Sequence, residues 1–197
     1  MGTMMTVAIV VVVLIVIWLI AAYNRLVTLR NQVKNSWSQI DVQLQRRYDL
    51  IPNLVETVKG YMTYEKGTLE AVISARNQAM AARQAIEQAG GPTEGSLKQL
   101  ITAESTLKSS LGSLFALSEN YPQLKASEPM QRLQEELSTT ENKISFARQA
   151  YNDQAMIYNT AQQKVPVVLV AGMFGHHPAD LYEVADAEAK KAVKVSF

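Results

Sequence analysis

The hydrophobic pattern begins with an uninterrupted apolar stretch, residues 4–22, in which Thr6 is the sole polar side chain. Because an α-helix rises 1.5 Å per residue, about 19 residues cross the hydrocarbon core of a bilayer. A helix also satisfies its own backbone hydrogen bonds, as a lipid environment requires. The stretch therefore predicts a membrane-spanning helix, with residues 1–24 as an anchor and the lipid bilayer as a partner.

From Leu26 to Tyr61 the pattern becomes periodic, with apolar residues recurring mostly every three or four positions. This spacing is typical of one long helix with a coiled-coil-like seam. No helix-breaking residue separates the span from this segment, so we expect one continuous helix. Pro52 interrupts it, and because proline lacks a backbone N–H and crowds the preceding turn, we expect Pro52 to act as a hinge.

Three more helices are predicted downstream, over about residues 64–89, 96–118 and 127–164. The Gly-Gly-Pro stretch at 89–95 is a linker between the first two of these. Ser127, followed by Glu128 and Pro129, marks the start of the last. Together with the anchor they predict an all-α fold, in which residues 25–164 form an elongated antiparallel helical bundle.

Residues 165–197 form a distinct tail that starts with the apolar sequence VPVVLVAGMFG. That stretch is too short to span a bilayer, so it caps the bundle, touches the membrane or meets a partner. We expect the final KVSF to be extended. The adjacent His176 and His177 point in different directions and no third ligand is nearby in sequence, so no metal site is predicted.

The charge distribution indicates where the protein lies and which partners it can bind. The net charge is +1 and the chain lacks a basic run, which argues against nucleic acid as a partner. Arg25, Arg30 and Lys34 follow the span, whereas no Lys or Arg precedes it. By the positive-inside rule, we expect a single-pass protein of a bacterial inner membrane, with the N-terminus outside and the body in the cytoplasm. A cleaved signal peptide would need a basic segment before the apolar stretch.

Candidate chemistry is sparse. The chain has no cysteine and no phosphate-binding, nucleophile-elbow or zinc-protease motif, so we predict neither an enzyme nor a cofactor. Glu104 lies on the apolar seam of the 96–118 helix. Because a buried carboxylate needs a partner, we expect an Arg or Tyr from another helix to contact Glu104.

Polar residues along the long helices are instead candidates for contacts with other proteins or between helices. The predicted interaction residues are Arg46, Arg47, Asp49, Asn53, Glu104, Asn142, Asn152 and Asp153, with Asn35, Gln39 and Arg148 in the wider set.

Three segments carry a resemblance to a known family: YNRLVTLRNQVKNSWSQIDVQLQRRYDLIPNLVETVKGY at 23–61, ENYPQLKA at 119–126 and LQEELSTTENKISFARQAYNDQAMIYN at 133–159. In this order they resemble the LemA family of bacterial membrane-anchored proteins. The resemblance implies a single N-terminal span and a cytoplasmic helical body. It implies no established enzymatic activity. Some relatives are implicated in organising bacterial membrane structures, and others are encoded near a membrane metallopeptidase.

Three functional hypotheses follow. The leading one is a non-enzymatic scaffold that forms a homo-oligomer at the membrane. The alternatives are an adaptor or regulator of a membrane protease or another membrane protein, and a membrane-remodelling protein whose apolar tail inserts into lipid.

Overall fold

A computed structural model describes residues 1–62 and 64–183, and within those residues the regular structure is entirely helical. Six helices follow one another: α1 Gly2–Lys59, α2 Lys66–Gln88, α3 Glu94–Ser118, α4 Pro122–Lys125, α5 Glu128–Gln163 and α6 Val167–Met173. The predicted all-α fold is confirmed. The final KVSF lies outside the described residues.

Helix α1 joins the apolar stretch 4–22 to the body without a break, as the uninterrupted helical sequence predicts. Its 58 residues make it about 90 Å long. Among the described residues, α1 is the one helix that is long and apolar enough to cross a membrane, and no residue of its apolar window is buried. The first buried side chain is Ala22, so the bundle begins where the apolar stretch ends.

The body pairs α1 with α5 and α2 with α3, and α1 also packs against α2. Successive long helices run antiparallel. The predicted α1 seam is buried from Leu26 through Leu44 and Ile51 to Val58, so its periodicity continues in phase past Pro52. Tyr61 departs from the prediction: it is exposed because α1 ends at Lys59.

The α2–α3 connection follows from its glycines and from one cap. Gly90 has a φ of +76° and Gly91 a φ of +149°, a region that glycine enters without steric cost. Helix α3 begins at Glu94, two residues earlier than predicted, because Thr93 and Ser96 form a capping box. The Ser96 amide donates to Thr93 Oγ1 at 3.3 Å, and the Thr93 amide donates to Ser96 Oγ at 2.9 Å.

The α5 start lies where the sequence predicts, with Ser127 in the N-cap position. The Ser127 hydroxyl, however, donates to the Leu124 carbonyl at 2.8 Å instead of capping α5. The expected turn before it contains the single-turn helix α4, which buries Leu124.

Pro52 is accommodated by a contact from a second helix. Proline has no N–H to donate to the carbonyl four residues earlier, which belongs to Tyr48. Arg76 of α2 donates from Nε to that carbonyl oxygen at 2.7 Å. The orphaned acceptor is therefore satisfied between helices, and α1 remains helical through Pro52. The role of Pro52 as a hinge stays a prediction.

We expect the effect of removing Arg76 to depend on Pro52. Arg76→Met should lower the free energy of unfolding by about 1–3 kcal/mol, because it leaves the Tyr48 carbonyl without a donor. In a Pro52→Ala background the new amide at position 52 can donate to that carbonyl, so the loss should shrink. Chemical denaturation of the detergent-solubilised protein, followed by circular dichroism, measures all four variants.

Arg132→Met is the matched control, because Arg132 makes a 2.8 Å pair with Glu128 on the exposed face of α5. Equal losses from Arg76→Met in both backgrounds would show that Pro52 and Arg76 are uncoupled.

Candidate functional site

A cluster of polar side chains lies at the centre of the bundle. We call Arg47 and Tyr48 of α1, Glu104 of α3 and Glu141 of α5 the central polar cluster. Glu104 is 8% exposed and accepts a hydrogen bond from the Tyr48 hydroxyl, while Arg47 Nη2 contacts its other oxygen. The buried carboxylate therefore meets both of the partner types expected from its place on the seam.

Arg47 joins this cluster to α5. It is 6% exposed, and its Nη1 donates to Glu141 Oε2 at 2.5 Å. Lys108 of α3 lies 3.6 Å from the other oxygen of Glu141. A single buried guanidinium thus bridges carboxylates from two helices. Because one charge buried alone is costly, this arrangement favours one alignment of α1, α3 and α5 over others.

Burial sets the protonation of the cluster. Desolvation lowers the pKa of Arg47, and the charge of Glu141 opposes that shift. Burial also raises the pKa of Tyr48 well above its ordinary value of 10, against the attraction of Arg47. At neutral pH Tyr48 therefore keeps the proton that it donates to Glu104, and Arg47 keeps its charge because a guanidinium does not deprotonate in proteins. The contacts of the cluster can therefore align α1, α3 and α5.

A second ion pair aligns α1 with α2. Arg83 donates from Nε and Nη2 to the two oxygens of Asp41, at 2.6 and 2.8 Å, and from Nη1 to Gln45 Oε1 at 3.0 Å. The hydrogen bond to Asp41 raises the pKa of Arg83. Bidentate pairs of this kind fix geometry as well as adding energy. This contact and the Arg76 contact lie seven residues apart on α2, two helical turns.

The C-terminal tail folds back along α5 and is held by two asparagines. Asn152 accepts from the Tyr182 amide at 2.8 Å and donates to the Tyr182 carbonyl at 3.1 Å. Asn159 makes the same pair of contacts with Ala179, at 2.7 and 2.8 Å. Each asparagine side chain pairs with the backbone N–H and C=O of one tail residue, as a neighbouring β-strand would. We call the set of contacts between residues 176–183 and α5 the tail clasp.

Aromatic and polar contacts complete the tail clasp. The Tyr151 hydroxyl donates to the Asp180 carbonyl at 2.7 Å. The Tyr182 ring stacks on Trp37 of α1 with centroids 6.5 Å apart, and the Arg148 guanidinium lies 5.5 Å from its centroid. Burial raises the pKa of both Tyr151 and Tyr182. The tail therefore seals the α1–α5 seam.

The histidine pair is divided between interior and surface. His176 is buried, with Nδ1 2.9 Å from the Tyr158 hydroxyl, whereas His177 is exposed. Burial lowers the pKa of His176, and the charge of Arg30 acts in the same direction. His176 is therefore neutral at physiological pH and serves as a hydrogen-bonding partner within the tail clasp.

The remaining predicted interaction residues lie on the surface of α1 and α5. Arg46, Asp49, Asn53, Asn142 and Asp153 are all exposed. Helical spacing places Asn142 and Asp153 on the same side of α5 as the exposed Phe146 and Ala150. Arg46 likewise follows Val42 by one turn of α1.

These two helix sides border a groove between α1 and α5, of about 480 Å³, lined by Ser38, Gln39, Val42, Gln43, Lys143, Phe146, Ala147 and Ala150. Phe146 is 73% exposed at its edge. We call this groove and its rim the outer α1/α5 face. It brings together Gln39, Arg46, Asn142 and Asp153 of the predicted set with two large exposed apolar side chains.

A second groove lies between α1 and α2, next to Pro52. It has a volume of about 690 Å³, and Ile51, Val55 and Leu69 are among its apolar lining residues. Asp49 and Asn53 are on exposed positions of the same stretch of α1, where Asp49 accepts from Gln45 Nε2 at 2.7 Å.

Sequence reasoning singled out Asn152 and Arg47 but not Tyr48, Glu141 or Asn159 as polar contacts. One signal was available for Asn159: it follows Asn152 by seven residues, so both side chains point in the same direction from α5. Tyr48 fits an apolar seam equally well as a packing residue, so its hydroxyl gave no signal.

Removing Glu104 should be more destabilising than removing an exposed carboxylate. Glu104→Leu leaves the buried Arg47 charge short of a partner, and we expect a loss of about 3–5 kcal/mol in the free energy of unfolding. Glu136→Ala, which removes the exposed pair with Arg46 at 4.0 Å, should cost less than about 1 kcal/mol.

The double variant Arg47→Met, Glu104→Leu removes both buried charges and should recover most of the loss. Urea denaturation measures the three variants. A double variant no more stable than Glu104→Leu would show that Arg47 is not the source of the penalty.

The tail clasp gives a local prediction. Asn159→Ala removes both contacts to Ala179, so we expect the Ala179 amide to exchange its hydrogen about 10–100-fold faster, equivalent to about 1–3 kcal/mol of lost local stability. Asn152→Ala should act in the same way on Tyr182. Asp153→Ala, on the exposed side of α5, is the control and should leave both amides protected. Exchange that is unchanged in the asparagine variants would contradict the clasp.

Comparison with known proteins agrees with this architecture. Residues 36–197 match the model of the LemA family, which is most of the chain. Two relatives from Paramagnetospirillum magneticum, magnetosome proteins MamQ 1 and MamQ 2, are each 25% identical over 194 residues, covering 91% of this chain and 71% of the relative. Magnetosome protein MamQ of Magnetospirillum gryphiswaldense is 28% identical over 162 residues, covering 75% of this chain and 60% of its own length.

The family match includes the central polar cluster and the outer α1/α5 face, so it covers most of the bundle. With its apolar N-terminal helix, this chain is a membrane-associated helical-bundle protein that belongs to the LemA family.

Proposed function

We propose that this protein is a non-enzymatic scaffold, tethered to the membrane by α1, which assembles with copies of itself through the outer α1/α5 face. The observation that carries the proposal is the exposure of Phe146 and Val42 at a groove between two rigid helices. Val42 lies on α1, which continues directly from the apolar stretch, and Phe146 lies on α5, which packs against α1.

The composition of the outer α1/α5 face suits contact between proteins. Transferring a large apolar side chain from water to an interface contributes about 1.5–3 kcal/mol. Phe146 and Val42 are surrounded by Gln39, Lys143 and Asn142, which supply the polar rim that interfaces of this kind have. Arg46 at the same rim is exposed, and its pair with Glu136 is loose at 4.0 Å.

The anchor makes a weak contact on this face effective. Copies held in one membrane share an orientation and a restricted volume, which raises their effective concentration. The outer α1/α5 face runs along the long axis of α1, so neighbouring copies can meet side by side without leaving the membrane. Arg25, Arg30 and Lys34 favour an orientation with the body in the cytoplasm of a bacterium and the N-terminus outside.

The relatives provide further support. They are named as magnetosome proteins, and we extend to this chain only a role at a membrane structure. The hydroxyls of Tyr48 and Tyr158, which contact Glu104 and His176, are buried between elements of the fold, and this burial favours a structural role for both clusters.

The groove beside Pro52 favours a second candidate, an adaptor for another membrane protein. At about 690 Å³ it is larger than the groove on the outer α1/α5 face, and Glu56, Lys59 and Lys66 border its apolar lining. A mixed-charge rim around an apolar floor suits a helix or peptide of a different protein. The two candidates use different faces, so variants can separate them.

Phe146→Arg should reduce self-assembly. It places a charge where the proposal requires an apolar contact, while the fold is kept because Phe146 is 73% exposed. Tyr64→Arg is the matched control, since Tyr64 is also aromatic, 95% exposed, and outside both the groove and its rim. Light scattering of the detergent-solubilised protein measures the mass of the assembly.

We expect a large assembly for the unaltered chain and for Tyr64→Arg, and a much smaller one for Phe146→Arg. A monomeric unaltered chain would overturn the scaffold. One foreign membrane protein that co-purifies in stoichiometric amount would support the adaptor instead. It should be lost in Ile73→Arg, at the groove beside Pro52, and kept in Phe146→Arg.

A further inference from the structure

We infer that the segment 165–174, which contains α6, lies in the interfacial layer of the leaflet from which α1 emerges and inserts apolar side chains between the lipids. We call this segment the membrane foot. The inference concerns a lipid contact of the tail and is independent of self-assembly through the outer α1/α5 face.

The depth of the membrane foot is fixed by its contact with α1. The Phe174 ring packs against the Tyr23 ring with centroids 4.8 Å apart, and Tyr23 immediately follows the apolar stretch 4–22. Ala22 is buried and Leu19 is packed against the core, so the body reaches the last turn of the span itself. With the stretch 4–22 placed in the hydrocarbon core, Tyr23 lies at the membrane–water boundary. Whatever packs beside Tyr23 lies at that boundary too.

The side chains of the membrane foot divide into two sets. Val170 and Ala171 are buried against the bundle, whereas Leu169 is 69% and Met173 78% exposed. Leu169 and Met173 are four residues apart and share the side of α6 that faces away from the bundle. Val165 and Phe174 are exposed at the two ends.

The sequence of the membrane foot suits lipid better than water. No charged residue occurs between Val165 and Gly175. With seven residues, α6 is about 10 Å long and cannot span a bilayer, but it can lie in the plane of the interface. A cluster of exposed apolar side chains in water would instead be an aggregation site. Lys164 at one edge and Arg25 on α1 are exposed where lipid phosphates would be.

The tail clasp holds the membrane foot in place from the other side. His176, two residues after Phe174, is buried against Tyr158, and Asn159 binds Ala179 through its backbone. The foot is therefore ordered by the bundle before it meets lipid. Anchor and foot give the protein two attachments to one leaflet, a geometry that limits tilting of the bundle relative to the membrane.

Fluorescence of a site-specific label tests the contact. The chain has no cysteine, so Leu169→Cys in the full-length protein creates a single labelling site. The labelled protein is reconstituted into vesicles of phosphatidylcholine and phosphatidylglycerol, with and without a lipid that carries a nitroxide near the top of its acyl chain. Ser138→Cys, an exposed position on the half of α5 away from the membrane, is the matched control.

If the membrane foot lies among the lipids, we expect the label at position 169 to show a blue-shifted emission and strong nitroxide quenching. The label at position 138 should show neither. Equal, weak quenching at both positions would overturn the inference. An intermolecular disulfide of unlabelled Leu169→Cys, without quenching in the labelled sample, would also overturn it and assign this surface to a second copy. Met173→Cys repeats the test on the same side of α6, and circular dichroism checks that each variant keeps the bundle.

Discussion

The alignment of the bundle depends on how the Arg47 charge is buried. One guanidinium, taken out of water in the C-terminal third of α1, contacts Glu104 of α3 and Glu141 of α5. Apolar seams alone tolerate sliding, since one heptad of Leu and Ile resembles the next. A buried ion pair does not, because a shift of one turn would leave a charge without its partner. The central polar cluster therefore converts a generally apolar core into one that selects a single alignment.

Tyr48 extends this constraint to α2, the long helix that Arg47 does not contact through an ion pair. Its hydroxyl donates to Glu104 of α3, and its carbonyl, which Pro52 leaves without an amide donor, accepts from Arg76 of α2. The proline that interrupts the helix thus creates the acceptor that ties α2 to α1. Together, Arg47 and Tyr48 connect α1 with α2, α3 and α5 from two adjacent residues.

The same alignment brings distant parts of the chain to one level. The antiparallel pairing of α1 and α5 returns the chain to the end of the apolar stretch of α1, where Phe174 meets Tyr23. The tail then reverses and runs along α5, with Asn159 and Asn152 binding it in turn. A stiff helix leading from the anchor and a seam sealed by the tail suit a protein that holds a fixed shape at a membrane. They also leave the outer α1/α5 face as a constant surface for contacts.

The sequence by itself determined the features that depend on local chemistry. The length of the apolar stretch predicted an anchor, the three-and-four spacing identified the helices, and the place of Glu104 on a seam indicated an Arg or Tyr partner. Gly90 and Gly91 marked the α2–α3 turn, and Ser127 the start of α5. Each of these follows from periodicity, burial or backbone preference within one segment. The start of α3 differs by two residues from the prediction, because the capping box of Thr93 and Ser96 sets where that helix begins.

Tertiary structure alone decided which polar groups meet. Periodicity shows which side of a helix is buried but not which residue of another helix lies opposite. Asn152 is half-buried and spends its hydrogen bonds on the backbone of Tyr182, while the neighbouring Asp153 remains exposed. Arg76 reaches a carbonyl that no side-chain pattern can reveal, because backbone acceptors are the same at every residue. The partners were set by the packing of whole helices, and that depends on contacts between residues far apart in the chain.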